Sequence, residues 1–341
     1  MPERIHWVDF AKGFVIILMV FLHLTRLEYF SKFIMIFHMP FFFVTAGFLL
    51  NLNKWGGAVN YKLFTTKLVK RLLMPYFFAE LLWYPIWFVV CHKGGFLKHM
   101  WDWCETEPLQ AFVMIFIGNG NGNGLLLAQL WFLPALFFTE IIFIKLYNRL
   151  NELGAEILAL TIVTVSSLGF CFANFLVMLW SVDLALVAQL FMLSGILIRK
   201  YNLIDKMNLK ACLLPALILI AAFGLNKHVD MNCRTYGNAL LFYAGAIAGS
   251  LLVMKFSLLM THGKVFSLIS HCGQQSMMIL VLHPIIVNIL YEIIARYTNF
   301  PPEVFTSEPI IIFLATLMGV LIPLFIAERF GKLPVLKYFC A

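Results

Sequence analysis

Charged residues are scarce in this chain. Asp, Glu, Lys and Arg together make up 12% of its 341 residues, whereas 62% are hydrophobic and 16% aromatic. Soluble globular domains average about 25% charged and about 45–50% apolar residues. A soluble domain of this length would expose more surface than so few polar side chains can cover. The composition therefore excludes a soluble protein and predicts an integral membrane protein.

The sequence also lacks the cysteine spacings that build metal sites or disulfide scaffolds. Its seven cysteines form no C-x-x-C pair and no repeated interval, so we expect neither a metal nor a disulfide framework. The net charge of +8 comes from lysines and arginines that lie between apolar runs and form no single basic stripe. That distribution indicates membrane topology and argues against nucleic acid as a partner.

Ten segments are long and apolar enough to be membrane spans, which need about 20 residues each. The fold class is accordingly predicted as all-α, a polytopic membrane bundle of about ten helices in a single domain, residues 1–341. Residues 92–127 break the pattern, because LQAFVMIFIG is too short to cross and each glycine of GNGNGNG costs a helix about 1 kcal/mol. We expect an outer loop there with a short interfacial or re-entrant helix. The spans lie near residues 7–26, 33–52, 72–91, 128–147, 155–173, 175–198, 211–225, 236–254, 274–295 and 309–327.

Lysine and arginine fall mainly on one side of these spans. With the N-terminus in the cytoplasm, all but seven of the 25 basic residues lie on the inner side, as the positive-inside rule requires. An even number of spans then places both termini in the cytoplasm. No small-residue cleavage site follows the first span, so we expect it to be retained and not removed as a signal peptide. The outer basic residues are Arg26, Lys32, Lys93, Lys98, Lys227, Arg234 and Arg296.

The first span carries a polar stripe. Its members recur at intervals of three and four residues and therefore share one helix face. Lys12 and His23 are about 16 Å apart along the axis, with Lys12 near the cytoplasmic edge and His23 deeper, toward the outer half. Lys12 is either a charge anchor paired with Asp9 or a binding residue, and His23 is either a helix-packing or a functional histidine. The stripe consists of Asp9, Lys12, Ile16, Met19, His23 and Arg26.

Other polar residues are predicted at membrane depth. Each one is either a hydrogen bond that stabilises the bundle or part of a site. Ser276 and His283 are two turns apart on one helix face, and Pro284 frees a backbone carbonyl beside them. His38 opens the second span. The remaining residues of this kind are Glu80, Glu140, Asp183 and Glu292.

Five stretches of the chain, in order, resemble the acyltransferase 3 family of bacterial membrane acyltransferases, especially its fucose 4-O-acetylase-like branch. RIHWVDFAKGFVIILMVFLH is similar to the family's first-helix signature, and FHMPFFFVTAGFLL to its second-helix motif. KLVKRLLMPYFF resembles the basic entry to the third helix, LWFLPALFF a Trp-containing helix, and SLISHCGQQSMMILVLHP a late helix with Ser and His. The resemblance runs nearly end to end.

The resemblance implies transfer of an acyl group, usually acetyl, from cytoplasmic acyl-CoA to a hydroxyl of a carbohydrate or lipid-linked sugar of the cell envelope. It also implies a multi-pass location in the inner membrane. His23 matches the family's essential first-helix histidine. Lys12 stands where many members have arginine, and Lys67, Lys70 and Arg71 resemble an arginine pair but hold only one arginine. Lysine lacks the bidentate fork of arginine, so a phosphate clamp here is less directional.

A mechanism follows from these expectations. His23 acts as general base on the acceptor hydroxyl, although an acetyl-histidine intermediate stays open. Asp9 orients Lys12. The alternative class is a transporter or flippase of lipid-linked sugars, which uses the same charges as a translocation path. The expected donor-binding residues are Lys12, Lys67, Lys70 and Arg71, and the expected supporting residues are Asp9, His38, Glu140, Ser276 and His283.

Overall fold

The computed structural model describes residues 5–25, 27–56, 58–94, 107–120, 125–173, 175–260, 262–298 and 302–333, with Leu336 and Phe339. Within these residues the chain forms helices and no strand, apart from one isolated bridge between Asp230 and Thr235. The predicted all-α membrane bundle is confirmed.

The helices are connected mostly by short segments. Two stretches, Val69–Leu73 and Trp87–Lys93, are π-helical and continue the helices before them. In chain order the α-helices are α1 (His6–Leu24), α2 (Glu28–Met35), α3 (His38–Leu49), α4 (Leu52–Trp55), α5 (Ala58–Leu68), α6 (Met74–Ile86), α7 (Pro108–Ile117), α8 (Phe132–Leu150), α9 (Ala155–Ala173), α10 (Val182–Val187), α11 (Gln189–Lys200), α12 (Leu203–Lys206), α13 (Leu213–Leu225), α14 (Ala239–Leu259), α15 (Lys264–Gln274), α16 (Ser276–Thr298), α17 (Pro302–Ser307) and α18 (Pro309–Phe330).

Eight of the ten predicted spans correspond to helical stretches of sufficient length, and a ninth does so if a bent pair of helices counts as one span. Among the described residues, eight stretches are long and apolar enough to cross a membrane, and α10 with α11 forms a ninth that is bent by 50°. The tenth predicted span, 211–225, differs: α13 has 13 residues. At 1.5 Å per residue it is about 20 Å long, shorter than a hydrocarbon core of about 30 Å.

The predicted interruption at 92–127 contains one short helix in its described part. This helix is α7, with 10 residues, which starts at Pro108 and ends where Gly118 takes a left-handed φ of 69°. Proline suits a first helical turn and glycine a left-handed C-cap. Residues 95–106 and 121–124 of the predicted loop lie outside the described residues.

Contacts divide the chain into two compact units, each assembled from separate stretches. The first comprises Met1–Ser31, Pro75–Leu130 and Thr261–Ala341, and the second Lys32–Met74 and Trp131–Met260. The prediction of a single domain stays a prediction.

In the first unit α1 lies against α15 at very short range. A Cβ atom on Gly13 would come within 1.8 Å of the Ile269 carbonyl oxygen, and one on Gly273 within 1.8 Å of the Asp9 carbonyl oxygen. Only glycine permits this approach. One turn before Gly13, Phe10 stacks on Phe266 at 5.3 Å between ring centroids. The pair of glycines thus fixes which residues of the two elements lie side by side.

The second unit is held together by a glycine contact and a buried ion pair. A Cβ atom on Gly195 of α11 would come within 1.9 Å of the Val44 oxygen of α3. Arg234 Nε donates to Asp183 Oδ2 at 2.9 Å, and both side chains are only 3% exposed. The ion pair ties the connection before α14 to the first turn of α10. Asp183, predicted at depth, therefore has a structural partner.

Candidate active site

The first unit brings together two histidines that are distant in sequence. His23 lies in the last turn of α1, and His283 lies two turns into α16. His23 Nδ1 is 2.9 Å from His283 Nε2, and the two ring planes are 17° apart with their centroids separated by 5.1 Å. His23 follows Gly13 by the same number of residues as His283 follows Gly273. The sequence interval across both pairs is 260 residues.

The two histidines differ in accessibility. His283 is 1% exposed, whereas His23 is an exposed residue. The sequence predicts His23 within the outer half of the span, and the structure places it one residue before the end of α1. The pair therefore consists of one exposed and one buried imidazole.

The backbone of α16 also contributes hydrogen bonds around His283. His283 Nδ1 is 2.8 Å from the Ile279 carbonyl oxygen. Pro284 has no N–H, so the Leu280 carbonyl loses its helical donor. Gln129 Nε2 donates to that oxygen instead, at 3.3 Å. The carbonyl that the sequence predicts to be freed by Pro284 is thus used in packing.

Lys12 lies three turns from His23, toward the start of α1. Its Nζ is 3.2 Å from Asp9 Oδ1, with the lysine side chain 25% exposed and the aspartate 8%. The predicted contact between Asp9 and Lys12 is therefore present. Ser276, the first residue of α16, is half-buried.

The predicted basic cluster belongs to the second unit, and its members have different neighbours. Arg71 forms an ion pair with the buried carboxylate of Glu140. Lys67 Nζ lies 5.4 Å from the centre of the Trp55 ring. Lys70 lines an open groove of about 420 Å³ together with other residues of α5 and α6. Lys70 and Arg71 both fall in the π-helical segment, a feature frequent at functional sites. The groove is also lined by Tyr61, Lys62, Thr65, Thr66, Val69 and Met74.

His38 is buried at the start of α3, where its Nδ1 lies 3.3 Å from the Ile34 carbonyl oxygen. It belongs to the second unit, as does Glu140. His23, Lys12, Asp9, Ser276 and His283 all belong to the first. The candidate residues therefore form two groups, one in each unit.

Sequence reasoning selected most of these residues and foresaw the Asp9–Lys12 contact, but it missed the pairings between different helices. It left Glu140 open between a residue that stabilises the bundle and part of a site, and the structure pairs Glu140 with Arg71. It did not identify Trp55 or Gln129. Among the described residues, no three His, Cys, Asp or Glu side chains are grouped as metal ligands.

Comparison with known proteins gives one match. A family model described as an acyltransferase domain matches residues 5–328. No curated protein and no solved structure matches the chain.

Proposed function

Because the chain belongs to the acyltransferase domain family, whose model covers residues 5–328, we propose that it is a membrane-embedded O-acetyltransferase. It moves an acetyl group from cytoplasmic acetyl-CoA to a hydroxyl group of a cell-envelope carbohydrate or lipid-linked sugar. The inner membrane of a bacterium is its location in this proposal. The five sequence motifs support the fucose 4-O-acetylase-like branch within the family.

The observation that carries the proposal is the accessible imidazole of His23 beside the buried His283. Neutral His23 removes the proton of the acceptor hydroxyl as the oxygen attacks the thioester carbonyl carbon. The carbon–sulfur bond then breaks, and the protonated imidazole returns its proton to the CoA thiolate. General base catalysis of this kind contributes about 10²- to 10⁴-fold in rate.

The proposed donor-binding residues are all basic. Lys12, held by Asp9 and partly exposed, is available to a phosphate group. Lys67, Lys70 and Arg71 supply further positive charge in the second unit, where Glu140 fixes Arg71. Ser276 shares a helix face with His283 and is proposed to contact the acceptor. His38, near the start of α3, is proposed as a supporting residue.

The test uses purified protein in nanodiscs with acetyl-CoA and envelope oligosaccharides as acceptors, and release of free CoA is measured. We expect release that depends on the acceptor and falls about 10²-fold or more in His23→Ala, with acetyl-CoA binding retained. His228→Ala is the matched control, because His228 is an exposed histidine in the connection before α14.

The alternative function gives a different result. A transporter or flippase moves lipid-linked sugars without consuming acetyl-CoA. A nanodisc encloses no compartment, so translocation is measured in proteoliposomes. Acceptor translocation without CoA release, or full activity in His23→Ala, would contradict the proposal.

A further inference from the structure

The hydrogen bonds of His283 determine where its own proton lies. Its Nδ1 is 2.8 Å from the Ile279 carbonyl oxygen. A carbonyl oxygen only accepts hydrogen bonds, so Nδ1 must carry the hydrogen. In a neutral imidazole the other nitrogen, Nε2, then holds a lone pair and accepts.

The same reasoning extends to His23. His283 Nε2 accepts across 2.9 Å, so the hydrogen in this contact comes from His23 Nδ1. A neutral His23 that carries its hydrogen on Nδ1 has its lone pair on Nε2. We infer that His283 is a positioning residue that holds His23 in this tautomer and thereby makes Nε2 of His23 the atom that removes the acceptor proton. The inference deepens the proposed function and rests on it for the identity of the base.

The surroundings hold His283 in the orientation that this role needs. The residue is 1% exposed, and Ile279 fixes one ring nitrogen. Gln129 Nε2 also donates to the carbonyl of Leu280 in the same turn. The glycine crossing holds α1 against α15, the helix that directly precedes α16. An imidazole with one nitrogen committed in this way is confined to one tautomer.

In this arrangement the acceptor hydroxyl, His23 and His283 take the places of the nucleophile, the base and the carboxylate of a catalytic triad. The proton of the acceptor hydroxyl moves to His23 Nε2, and His23 keeps its Nδ1 hydrogen bonded to His283. When the carbon–sulfur bond breaks, Nε2 gives the proton to the thiolate. His283 stays neutral throughout. It stabilises the His23 imidazolium by accepting a hydrogen bond from His23 Nδ1, and it does not take the proton itself.

Two substitutions separate positioning from packing. His283→Leu removes the nitrogen that accepts the hydrogen bond from His23 and fills the buried position with an apolar side chain. His283→Gln retains an oxygen that accepts from His23 Nδ1 and an amide that donates toward Ile279. Asn288→Leu is the control, because Asn288 is another buried polar residue of α16 that bonds only within its own helix in the described contacts.

Acetyl transfer and imidazole ¹⁵N NMR of histidine-labelled protein are measured for each variant, with His23→Ala used to assign the His23 signals. We expect His23 of the unaltered protein to carry its hydrogen on Nδ1, and His283→Leu to shift it toward Nε2. We also expect kcat to fall about 10²- to 10⁴-fold, with KM for acetyl-CoA unchanged and activity partly restored in His283→Gln. Asn288→Leu should keep both the tautomer and the activity.

The inference is overturned if His23 carries its hydrogen on Nε2 in the unaltered protein, or if His283→Leu leaves the tautomer unchanged. It is also overturned if His283→Leu and Asn288→Leu reduce kcat equally. The NMR measurement needs no substrate. An inactive protein with the expected tautomer would therefore contradict the proposed reaction and leave the positioning of His23 in place.

Discussion

Arg71 is held by a carboxylate that has little access to water. Its guanidinium pairs with Glu140, whose side chain is 4% exposed against 48% for Arg71. Removing one partner of a buried pair leaves an uncompensated charge and costs about 3–5 kcal/mol. We expect Arg71→Ala to lower the free energy of unfolding toward the lower end of this range, since Arg71 is half hydrated. Equilibrium unfolding in mixed micelles measures it.

Lys70→Ala is the matched control, because Lys70 is the exposed neighbour in the same π-helical segment. Its effect should stay within about 0.5 kcal/mol. Adding Glu140→Ala to Arg71→Ala should recover part of the lost stability. Equal effects of Arg71→Ala and Lys70→Ala would show that the ion pair has no structural role.

Periodicity predicted residue pairs only within one helix. Asp9 and Lys12 are three residues apart, and their contact was foreseen and is present. Arg71 and Glu140 are 69 residues apart, and His23 and His283 are 260 apart. A single sequence shows that each of these side chains is polar and surrounded by apolar residues. Which of them meet depends on helix register, which small residues such as Gly13 determine.

At the scale of helices, the crossing of α1 and α15 is the most restrictive contact of the first unit. A Cβ atom on Gly13 would lie 1.8 Å from a backbone oxygen, Ile269 O, and 2.8 Å from Gly273 N. Backbone atoms cannot yield as the end of a side chain does. We expect Gly13→Ala to separate the helices and lower the unfolding free energy by about 1–3 kcal/mol or more, measured in mixed micelles.

Gly224→Ala provides the control for this substitution. Gly224 also lies in a helix, α13, but nothing lies within 4 Å of the position that a Cβ atom would take there. Replacing an unhindered helical glycine by alanine stabilises a helix by about 0.5–1 kcal/mol. The two substitutions should therefore have opposite signs. A Gly13→Ala protein as stable as the Gly224→Ala protein would contradict the close crossing.

Hydropathy predicted where most helices lie but not how they bend. The apolar run at 175–198 reads as one span, whereas α10 and α11 meet at 50°. Trp180 and Ser181, just before α10, both have left-handed φ angles, of 59° and 53°. Apolar composition reports burial in lipid or protein, and it carries no information on the direction of a helix axis.

At the scale of the whole chain, composition alone identified a membrane protein. The two units were not predicted, because each is built from segments that are far apart in sequence. The units divide the candidate residues, with the histidine pair in the first and the cluster of Lys67, Lys70 and Arg71 in the second. A reading along the sequence cannot show this division, since the membrane-spanning pattern is the same in both.

The orientation of the chain depends on whether α13 crosses the membrane. Its 13 residues reach about 20 Å, yet an even number of spans requires it to cross. Two cysteines flank it: Cys212 directly precedes α13, and Cys233 lies in the connection to α14. Partial desolvation and the nearby Asp230 carboxylate raise the pKa of the Cys233 thiol to about 11. Thiolate is the reactive form, so labelling of Cys233 accelerates as the pH rises from 7 toward 11.

Two single-cysteine proteins, with Cys212 or Cys233 retained and the others changed to serine, are labelled at pH 9 with a membrane-impermeant maleimide. If α13 crosses, Cys233 reacts in intact cells and Cys212 only in inverted vesicles. Asp230→Asn should speed the labelling of Cys233 by lowering its pKa, which confirms that reactivity reports on that site. Reaction of both cysteines from the same side would remove α13 from the spans. The termini would then lie on opposite sides of the membrane, and α16 with its His283 would have the opposite orientation to the one that ten spans predict.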